Sequence, residues 1–244
     1  MRYKLVLEYD GSAFIGWQRQ EGQVSVQGVL EQAFATALKH PVAVWGSGRT
    51  DTGVHANAQI AHIETEEKLN TFRLFESLNA LVRPYPIAIK SIEQAEDTFH
   101  ARFSAKKRHY IYKIQNTLYP AILNKNRVWW VRTPLDIVAM QNAANLLLGK
   151  HDFSTFRASE CQAKSPIKTL DTFEIKKSGD LIEFYVSARS FLHHQVRNMV
   201  GTLVLVGQGK WTIEKFQKAF LACDRTKGGP TAPPEGLYFD FVEY

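Results

Sequence analysis

Cysteine is scarce in this chain, since Cys161 and Cys223 are the only two among 244 residues. Two cysteines build neither the disulfide framework of a small secreted domain nor a four-cysteine zinc site, and they favour a reducing, cytoplasmic setting. Long apolar runs are missing too, because no stretch approaches the roughly 20 residues that a membrane-spanning helix needs. The start, MRYKLVLEYDG, has neither the apolar core nor the cleavage site of a signal peptide. We therefore expect neither membrane insertion nor secretion.

The common motifs for binding phosphates and for presenting a nucleophilic serine are also absent. The chain has no Gly-x-x-x-x-Gly-Lys loop, no Gly-x-Gly-x-x-Gly after a strand and no Gly-x-Ser-x-Gly. We therefore predict that the protein uses no nucleotide cofactor.

Positive charge is in excess. Lysine and arginine number 30 against 24 acidic residues, which gives a formal net charge of +6. A moderately basic surface favours polyanions such as nucleic acid, although a soluble domain without such a partner can have the same balance. Hydrophobic residues make up 45% of the chain, so we expect a well-formed core and disorder only in short loops.

Hydrophobic patterning predicts strands and helices in both halves of the chain. Alternation predicts strands at residues 2–9, 41–46, 86–92, 108–114, 168–176, 181–188 and 236–244. Apolar spacing predicts helices at residues 26–38, 71–82, 134–148, 191–206 and 212–222. The composition changes near residue 104, which predicts a domain boundary between residues 1–104 and 105–244. Both parts mix strands and helices in a similar order, which predicts two related α/β halves facing a shared cleft. Residues 228–236, GGPTAPPEG, predict a rigid loop.

Residues 46–55, GSGRTDTGVH, place Arg49 and Asp51 on a loop that also contains three glycines. The glycines are Gly46, Gly48 and Gly53. Glycine permits backbone conformations that other residues avoid, so such a loop can project a carboxylate into a cleft. A neighbouring arginine favours the ionised acid, which can then act as a nucleophile, a base or a metal ligand. A surface ion pair that only holds the loop together explains the same pattern.

Residues 108–112, RHYIY, place Tyr110 and Tyr112 beside four cationic side chains. In a strand the two tyrosines point to the same face. A tyrosine face next to positive charge can stack on a nucleobase. A core-facing tyrosine pair on a basic edge strand is the alternative interpretation.

Residues 191–201, FLHHQVRNMVG, predict a helix in which His193, His194 and Arg197 share a face. Adjacent histidines on a helix diverge by about 100°, so they make a poor pair of metal ligands, and we predict no metal site. Arg197 on an otherwise apolar helix needs an anionic partner. That partner could be Asp51 or a structural acid elsewhere.

Several further basic residues are predicted to lie in loops. Each alone is typical of a solvated charge, but together with residues 102–108 they could follow a phosphate backbone. They are Arg157, Lys164, Lys168, Arg225 and Lys227.

Four motifs taken together resemble the bacterial tRNA pseudouridine synthase A family. They are GRTDTGVHA, TFHARFSAKKRHYIY, HDFSTFRASECQAKSP and FLHHQVRNMVG, and the opening EYDGSAFIGWQRQ and closing GLYFDFVEY match as well. The resemblance covers nearly the full length in order. The chain departs from the family pattern at VRPYPI, residues 82–87, where relatives usually have Leu-Pro-x-Asp-Ile, and at Ser47 and Thr52, where relatives often have alanine.

The resemblance implies an isomerase that converts uridine to pseudouridine at positions 38, 39 and 40 of the tRNA anticodon stem-loop. It implies a homodimer without a cofactor and an α+β fold of two similar ferredoxin-like or RRM-like halves. Their sheets would join into one extended mixed sheet with a central basic cleft. Carried over residue by residue, it implies that Asp51 is the nucleophile and that Tyr110 packs on the target base. Arg49 would assist base flipping, and Arg197 would pair with Asp51.

Two other classes of function remain as alternatives. One is a non-catalytic RNA-binding protein, although the presence of Asp51 argues against it. The other is a glycosidase-like hydrolase, which generally needs two carboxylates. Among Glu31, Glu64 and Glu66 we find no spacing that supplies a second carboxylate beside Asp51.

Overall fold

The computed structural model describes all residues, 1–244, and contains five α-helices and ten β-strands. The helices are α1 (Val26–Leu38), α2 (Thr71–Leu81), α3 (Ile137–Asn145), α4 (Gln195–Gly207) and α5 (Ile213–Leu221). The strands are β1 (Arg2–Tyr9), β2 (Trp45–Gly46), β3 (His55–Glu64), β4 (Ile87–Ala95), β5 (Lys107–Asn116), β6 (Trp129–Val131), β7 (Gly149–Asp152), β8 (Ile167–Ser178), β9 (Leu181–Ala188) and β10 (Leu237–Glu243). The predicted α+β class is confirmed. None of the helices has the length and apolar character needed to cross a bilayer.

The chain divides into two compact units, and residues 238–244 belong with residues 1–106 in the first. In this unit β1 pairs antiparallel with both β3 and β4, while β2 pairs antiparallel with β3. The C-terminal strand β10 pairs parallel with β3, with Tyr238 opposite His55 and Phe239 opposite Ala56. The last strand of the chain therefore lies beside the strand that begins just after residue 51.

Local sequence explains the helices of the first unit. Ser25 caps α1 because its side chain accepts a hydrogen bond from the backbone N–H of Gly28. Asn70 caps α2 in the same way, by accepting from the N–H of Arg73. Each helix buries an apolar face, and Leu30 of α1 is fully buried.

The second unit comprises residues 107–237. Strands β5, β9, β8 and β7 pair antiparallel in that order, and β6 pairs parallel with β5. The two strands predicted at residues 168–176 and 181–188 are confirmed as β8 and β9, which form a hairpin whose turn contains Gly179 with a φ of 58°. Helix α4 is the most deeply buried helix of this unit, with eleven of its 13 residues buried.

Several predicted boundaries were wrong. The helix predicted from residue 191 begins at Gln195, because His194 has a φ of 60° and the Gln195 side chain accepts from the N–H of Leu192. The strand predicted at residues 41–46 is reduced to Trp45–Gly46, and the helix predicted at 134–148 covers only Ile137–Asn145.

Candidate active site

The loop that carries Arg49 and Asp51 joins β2 to β3 in the first unit. Its backbone is anchored to the segment that follows β1. The Trp17 N–H donates to the Thr50 carbonyl at 3.0 Å, and Gly16 forms an isolated bridge with Asp51. The Val54 N–H donates to the Asp51 carbonyl at 3.1 Å, which closes a turn. The backbone of the loop is therefore held in one conformation by hydrogen bonds.

Glycine is required at two positions around Asp51 because of positive φ angles. Gly53 has a φ of 78° and Gly16 a φ of 110°. A Cβ on Gly16 would stand 2.5 Å from the Thr50 carbonyl oxygen. Gly46 and Gly48 are needed for close packing instead, because a Cβ there would approach the rings of Trp17 and Phe239 to 2.5 Å and 3.1 Å.

A layer of buried polar side chains lies beneath the loop. Gln59 of β3 donates from Nε2 to the Gly48 carbonyl at 2.8 Å, and its Oε1 accepts from the Ser47 hydroxyl. The hydroxyl groups of Tyr9 and Thr50 lie 2.8 Å apart. Burial raises the pKa of Tyr9 to about 12, against the opposing effect of its hydrogen bonds with Thr50 and Gln59. The loop thus rests on a hydrogen-bonded polar floor.

The two charged side chains of the loop differ in exposure. Arg49 is exposed, whereas Asp51 is partly buried. At the end of the loop His55 is buried, and its Nδ1 accepts from the N–H of Gly11 at 3.0 Å. The Oδ1 atom of Asp10 lies 3.2 Å from the same nitrogen. This end of the loop is therefore tied to the segment after β1.

Tyr110 and Tyr112, predicted to act as one face, have separate roles in the second unit. Tyr112 is fully buried and donates from its hydroxyl to the Pro233 carbonyl at 2.7 Å. Tyr110 is only half-buried, and its ring meets Phe191 edge to face at 5.0 Å. The core interpretation is correct for Tyr112, while Tyr110 keeps a partly accessible ring.

Arg197 lies in the first turn of α4 and is partly buried. Its Nε donates to the Ala232 carbonyl at 2.9 Å, and the Ala232 N–H donates to the Arg197 carbonyl at 3.1 Å. These bonds attach α4 to the loop at residues 228–236. The Ala232 carbonyl, which carries only a partial negative charge, is therefore one partner of Arg197.

The predicted helical arrangement of His193 and His194 was wrong. Both residues precede α4, so the spacing that was used to separate their rings does not apply. Their ring centroids lie 4.0 Å apart, with planes inclined by 38°. The helix geometry therefore no longer supports the prediction that these histidines bind no metal, which stays a prediction.

Two of the arginines predicted to be solvated hold loops of the second unit. Arg157 donates to the carbonyls of Cys161 and Ala163, both at 2.8 Å. Arg225 donates to the Gly229 carbonyl and to the side chains of Asn198 and Thr231. Guanidinium groups with several fixed donors suit this role, because each can satisfy more than one acceptor.

Two of the acidic residues considered for a two-carboxylate hydrolase are engaged elsewhere. Glu31 accepts from Gln27 and from the N–H of Val44, and pairs with Arg19 at 3.0 Å. Glu64 pairs with Arg2. Both carboxylates are therefore paired with arginines of the first unit.

The polar floor of Tyr9, Ser47, Thr50 and Gln59 was missed by sequence reasoning. The only signal in the sequence is the polar Gln59 beside the apolar run IAHI, and the structure shows that this residue is fully buried in the strand HANAQIAHIE. Strand β3 itself was not predicted. A carboxylate on a fixed loop with a buried polar floor is suited to nucleophilic or general-base chemistry.

Comparison with known proteins places these residues in a family context. A family model described as tRNA pseudouridine synthase matches residues 5–104 and 143–244. The tRNA pseudouridine synthase A of Afipia carboxidovorans is 53% identical over 243 residues, covering 100% of this chain and 99% of that protein. Proteins of the same name from Rhodospirillum rubrum and Xanthobacter autotrophicus are 50% and 51% identical, covering 100% of this chain and 88% and 99% of their own lengths. The matched segments include Asp51 and Arg197, whereas Tyr110 lies between them.

Proposed function

This chain belongs to the tRNA pseudouridine synthase family, and from that premise we propose that it converts uridine to pseudouridine at positions 38, 39 and 40 of the tRNA anticodon stem-loop. The observation that carries the proposal is the fixed loop around Asp51, which lies within the first matched segment. The enzyme class, a pseudouridine synthase, follows from the family.

We assign the nucleophile to Asp51. The reaction breaks the bond from N1 of uracil to the ribose, turns the base and rejoins it through C5. No atoms are gained or lost overall apart from the exchange of a proton, so the reaction needs no cosubstrate. An ionised carboxylate held in one position can act as the nucleophile of this isomerisation.

We assign contacts with the substrate to three further residues. The partly accessible ring of Tyr110 is suited to stack on the uracil, and Arg49 is exposed on the same loop as Asp51, where it can enter an RNA helix. A paired uridine must leave the stack before it can react, at a cost of a few kcal/mol. Contacts between the basic surface and phosphates would offset that cost. Arg197 would pair with Asp51 and keep it ionised.

We further propose that the enzyme is a homodimer, works in the cytoplasm and needs neither a metal nor an organic cofactor. The support for these points is the resemblance to bacterial tRNA pseudouridine synthase A. The net charge of +6 supports a polyanionic substrate. The tRNA anticodon stem-loop is the proposed partner.

Tritium release tests the assignment. Wild-type protein is incubated with a tRNA transcript tritiated at C5 of uridine, because joining C5 to the sugar displaces that hydrogen. We expect release from transcripts with uridine at positions 38 to 40 and none with the Asp51→Asn variant, which should still bind tRNA. The control is Asp240→Asn, since Asp240 accepts a hydrogen bond from Asn57 in the same unit and has no assigned role.

Other outcomes would reassign the protein. Full activity in Asp51→Asn would remove the nucleophile assignment. Tight tRNA binding without tritium release would favour a non-catalytic RNA-binding protein. Free uracil among the products would indicate a hydrolase, because isomerisation conserves the mass of the RNA.

A further inference from the structure

Gln59 is fully buried in β3, yet both polar atoms of its side chain engage the loop that carries Asp51. Its Nε2 donates to the Gly48 carbonyl at 2.8 Å, and its Oε1 accepts from the Ser47 hydroxyl. The Ser47 N–H in turn donates to the Ile60 carbonyl at 2.8 Å. One amide side chain therefore links the strand to two consecutive residues of the loop.

Thr50, which follows Arg49 in the chain, is held by the same polar floor. The Thr50 hydroxyl lies 2.8 Å from the Tyr9 hydroxyl, and Gln59 also interacts with Tyr9. The loop is thus fixed at Gly48 and Thr50, the two neighbours of Arg49. Thr50 is buried at 7% exposure and directly precedes Asp51, so a displacement of Thr50 would also move the carboxylate.

Buried polar contacts select one position of the loop more strictly than apolar packing would. A buried amide that loses its partner costs roughly 1–3 kcal/mol, so any shift of Gly48 or Ser47 away from Gln59 is penalised. An apolar side chain of the same volume would fill the space without this directional penalty.

We propose that Gln59 is a positioning residue that holds Arg49 and Asp51 in the orientation needed for the reaction. This role rests on the proposed function of Asp51. It acts through the loop backbone, and Gln59 itself touches no substrate. Displacing a catalytic group by about 1 Å can lower turnover roughly 100-fold, so the loss of this support should appear in kcat.

The test compares Gln59→Met with Gln141→Met. Gln141 in the second unit is a matched control, because its Nε2 donates to the Phe173 carbonyl and its Oε1 accepts from the Ile175 N–H. We expect Gln59→Met to lower kcat for tritium release about 10- to 100-fold while KM for tRNA changes less than about twofold. Gln141→Met should keep the wild-type kcat. It should still unfold at a lower temperature than wild type, as Gln59→Met should, because each variant loses two hydrogen bonds.

Amide hydrogen exchange of residues 46–55 provides a second measurement that does not depend on activity. We expect faster exchange in this loop for Gln59→Met and no change there for Gln141→Met. Wild-type kcat in a folded Gln59→Met variant, or unchanged loop exchange, would overturn the positioning role while leaving the isomerase intact. If the wild-type protein released no tritium, the proposed function would fail, and the exchange measurement would still decide whether Gln59 positions the loop.

A double variant covers the case in which Gln59→Met does not fold. Tyr9→Phe with Ser47→Ala removes two hydroxyls from the polar layer and leaves Gln59 and the backbone unaltered. We expect a decrease in kcat of roughly tenfold with tRNA binding retained. An unchanged kcat in this variant would overturn the proposal that Gln59 positions the loop through Ser47 and Tyr9.

Discussion

Strand β3 buries two polar side chains that are bonded in different ways. In the middle of the strand, Gln59 uses both of its amide atoms to hold the loop of Asp51. Three residues further on, His62 is equally buried, and its Nδ1 accepts from the N–H of Ala101 at 3.2 Å. The His62 Nε2 atom has no hydrogen-bond partner, and the nearest carboxylate oxygen, from Glu64, is 4.0 Å away.

The surroundings of His62 keep its imidazole neutral. Its ring stacks on Trp45 at 5.1 Å and lies 4.6 Å from the ring of His100. Burial, followed by repulsion from His100 and Arg2, lowers the pKa of His62 to about 4. A fully bonded amide thus holds a loop in one position, whereas a buried imidazole with a lowered pKa makes the stability of the protein depend on pH.

Moving the loop directly should give the largest effect. In Gly16→Ala, the new Cβ would stand 2.5 Å from the Thr50 carbonyl oxygen at a residue with a φ of 110°. The loop must shift, so we expect tritium release to fall about 100-fold or more. Steady-state kinetics on the folded variant provides the measurement.

Gly22→Ala is the matched control. Gly22 also has a positive φ, 71°, but a Cβ there meets nothing within 4 Å. The backbone strain should cost on the order of 1 kcal/mol of folding free energy and leave kcat unchanged. Equal losses of activity in the two variants would show that backbone strain, and not displacement of the loop, governs turnover.

Lowering the pH should destabilise the protein through His62 of β3. The folded-state pKa of His62, about 4, lies below its ordinary value of 6.5. Between these values the unfolded chain binds the proton and the folded protein does not, so stability is complete above about pH 6.5 and is lost as pH falls towards 4. The contribution should reach roughly 3 kcal/mol, at about 1.4 kcal/mol per pKa unit. Urea unfolding across this range measures it.

His62→Asn isolates this contribution from that of the carboxylates. The asparagine oxygen can accept from the Ala101 N–H in place of Nδ1, while the titrating group is gone. We expect the free energy of unfolding of the variant to change less between pH 6.5 and 4.5, with tritium release at pH 7 within about twofold of wild type. A pH dependence identical to that of wild type would exclude His62 as the source.

The sequence predicts more of the fold than of the support for the site. Strand β1, the Ser25 cap and the β8–β9 hairpin follow from alternation, capping and turn chemistry, which are local signals. The proposed role of Asp51 comes from the motif resemblance, because the residue pattern alone also fits a surface ion pair. Strand β3 was missed because its small and polar residues, HANAQ, obscure its alternation.

Long-range contacts account for the rest. The partners of Gln59 and Tyr9 lie 11 and 41 residues away along the chain, so no short window contains these hydrogen bonds. The helix expected from residue 191 starts late for a different reason. His194 adopts a left-handed conformation, which apolar spacing cannot indicate.

The smallest effect should come from a single hydroxyl of the polar floor. Tyr9 donates to or accepts from Thr50 beneath the Asp51 loop, whereas Tyr112 donates to the Pro233 carbonyl in the second unit. Both are buried, and burial raises both pKa values, that of Tyr9 to about 12. Replacing either by phenylalanine should lower the free energy of unfolding by about 1 kcal/mol.

Only the substitution at Tyr9 should lower the rate of the reaction. We expect kcat for tritium release to fall a few-fold in Tyr9→Phe and to stay at the wild-type value in Tyr112→Phe, with KM for tRNA unchanged in both. Thr50 stays bonded through its carbonyl to the Trp17 N–H, which limits the displacement of Asp51. If the two variants lost stability equally and both kept full kcat, the Tyr9 hydroxyl would contribute to folding alone. The hold on the loop would then depend on Gln59.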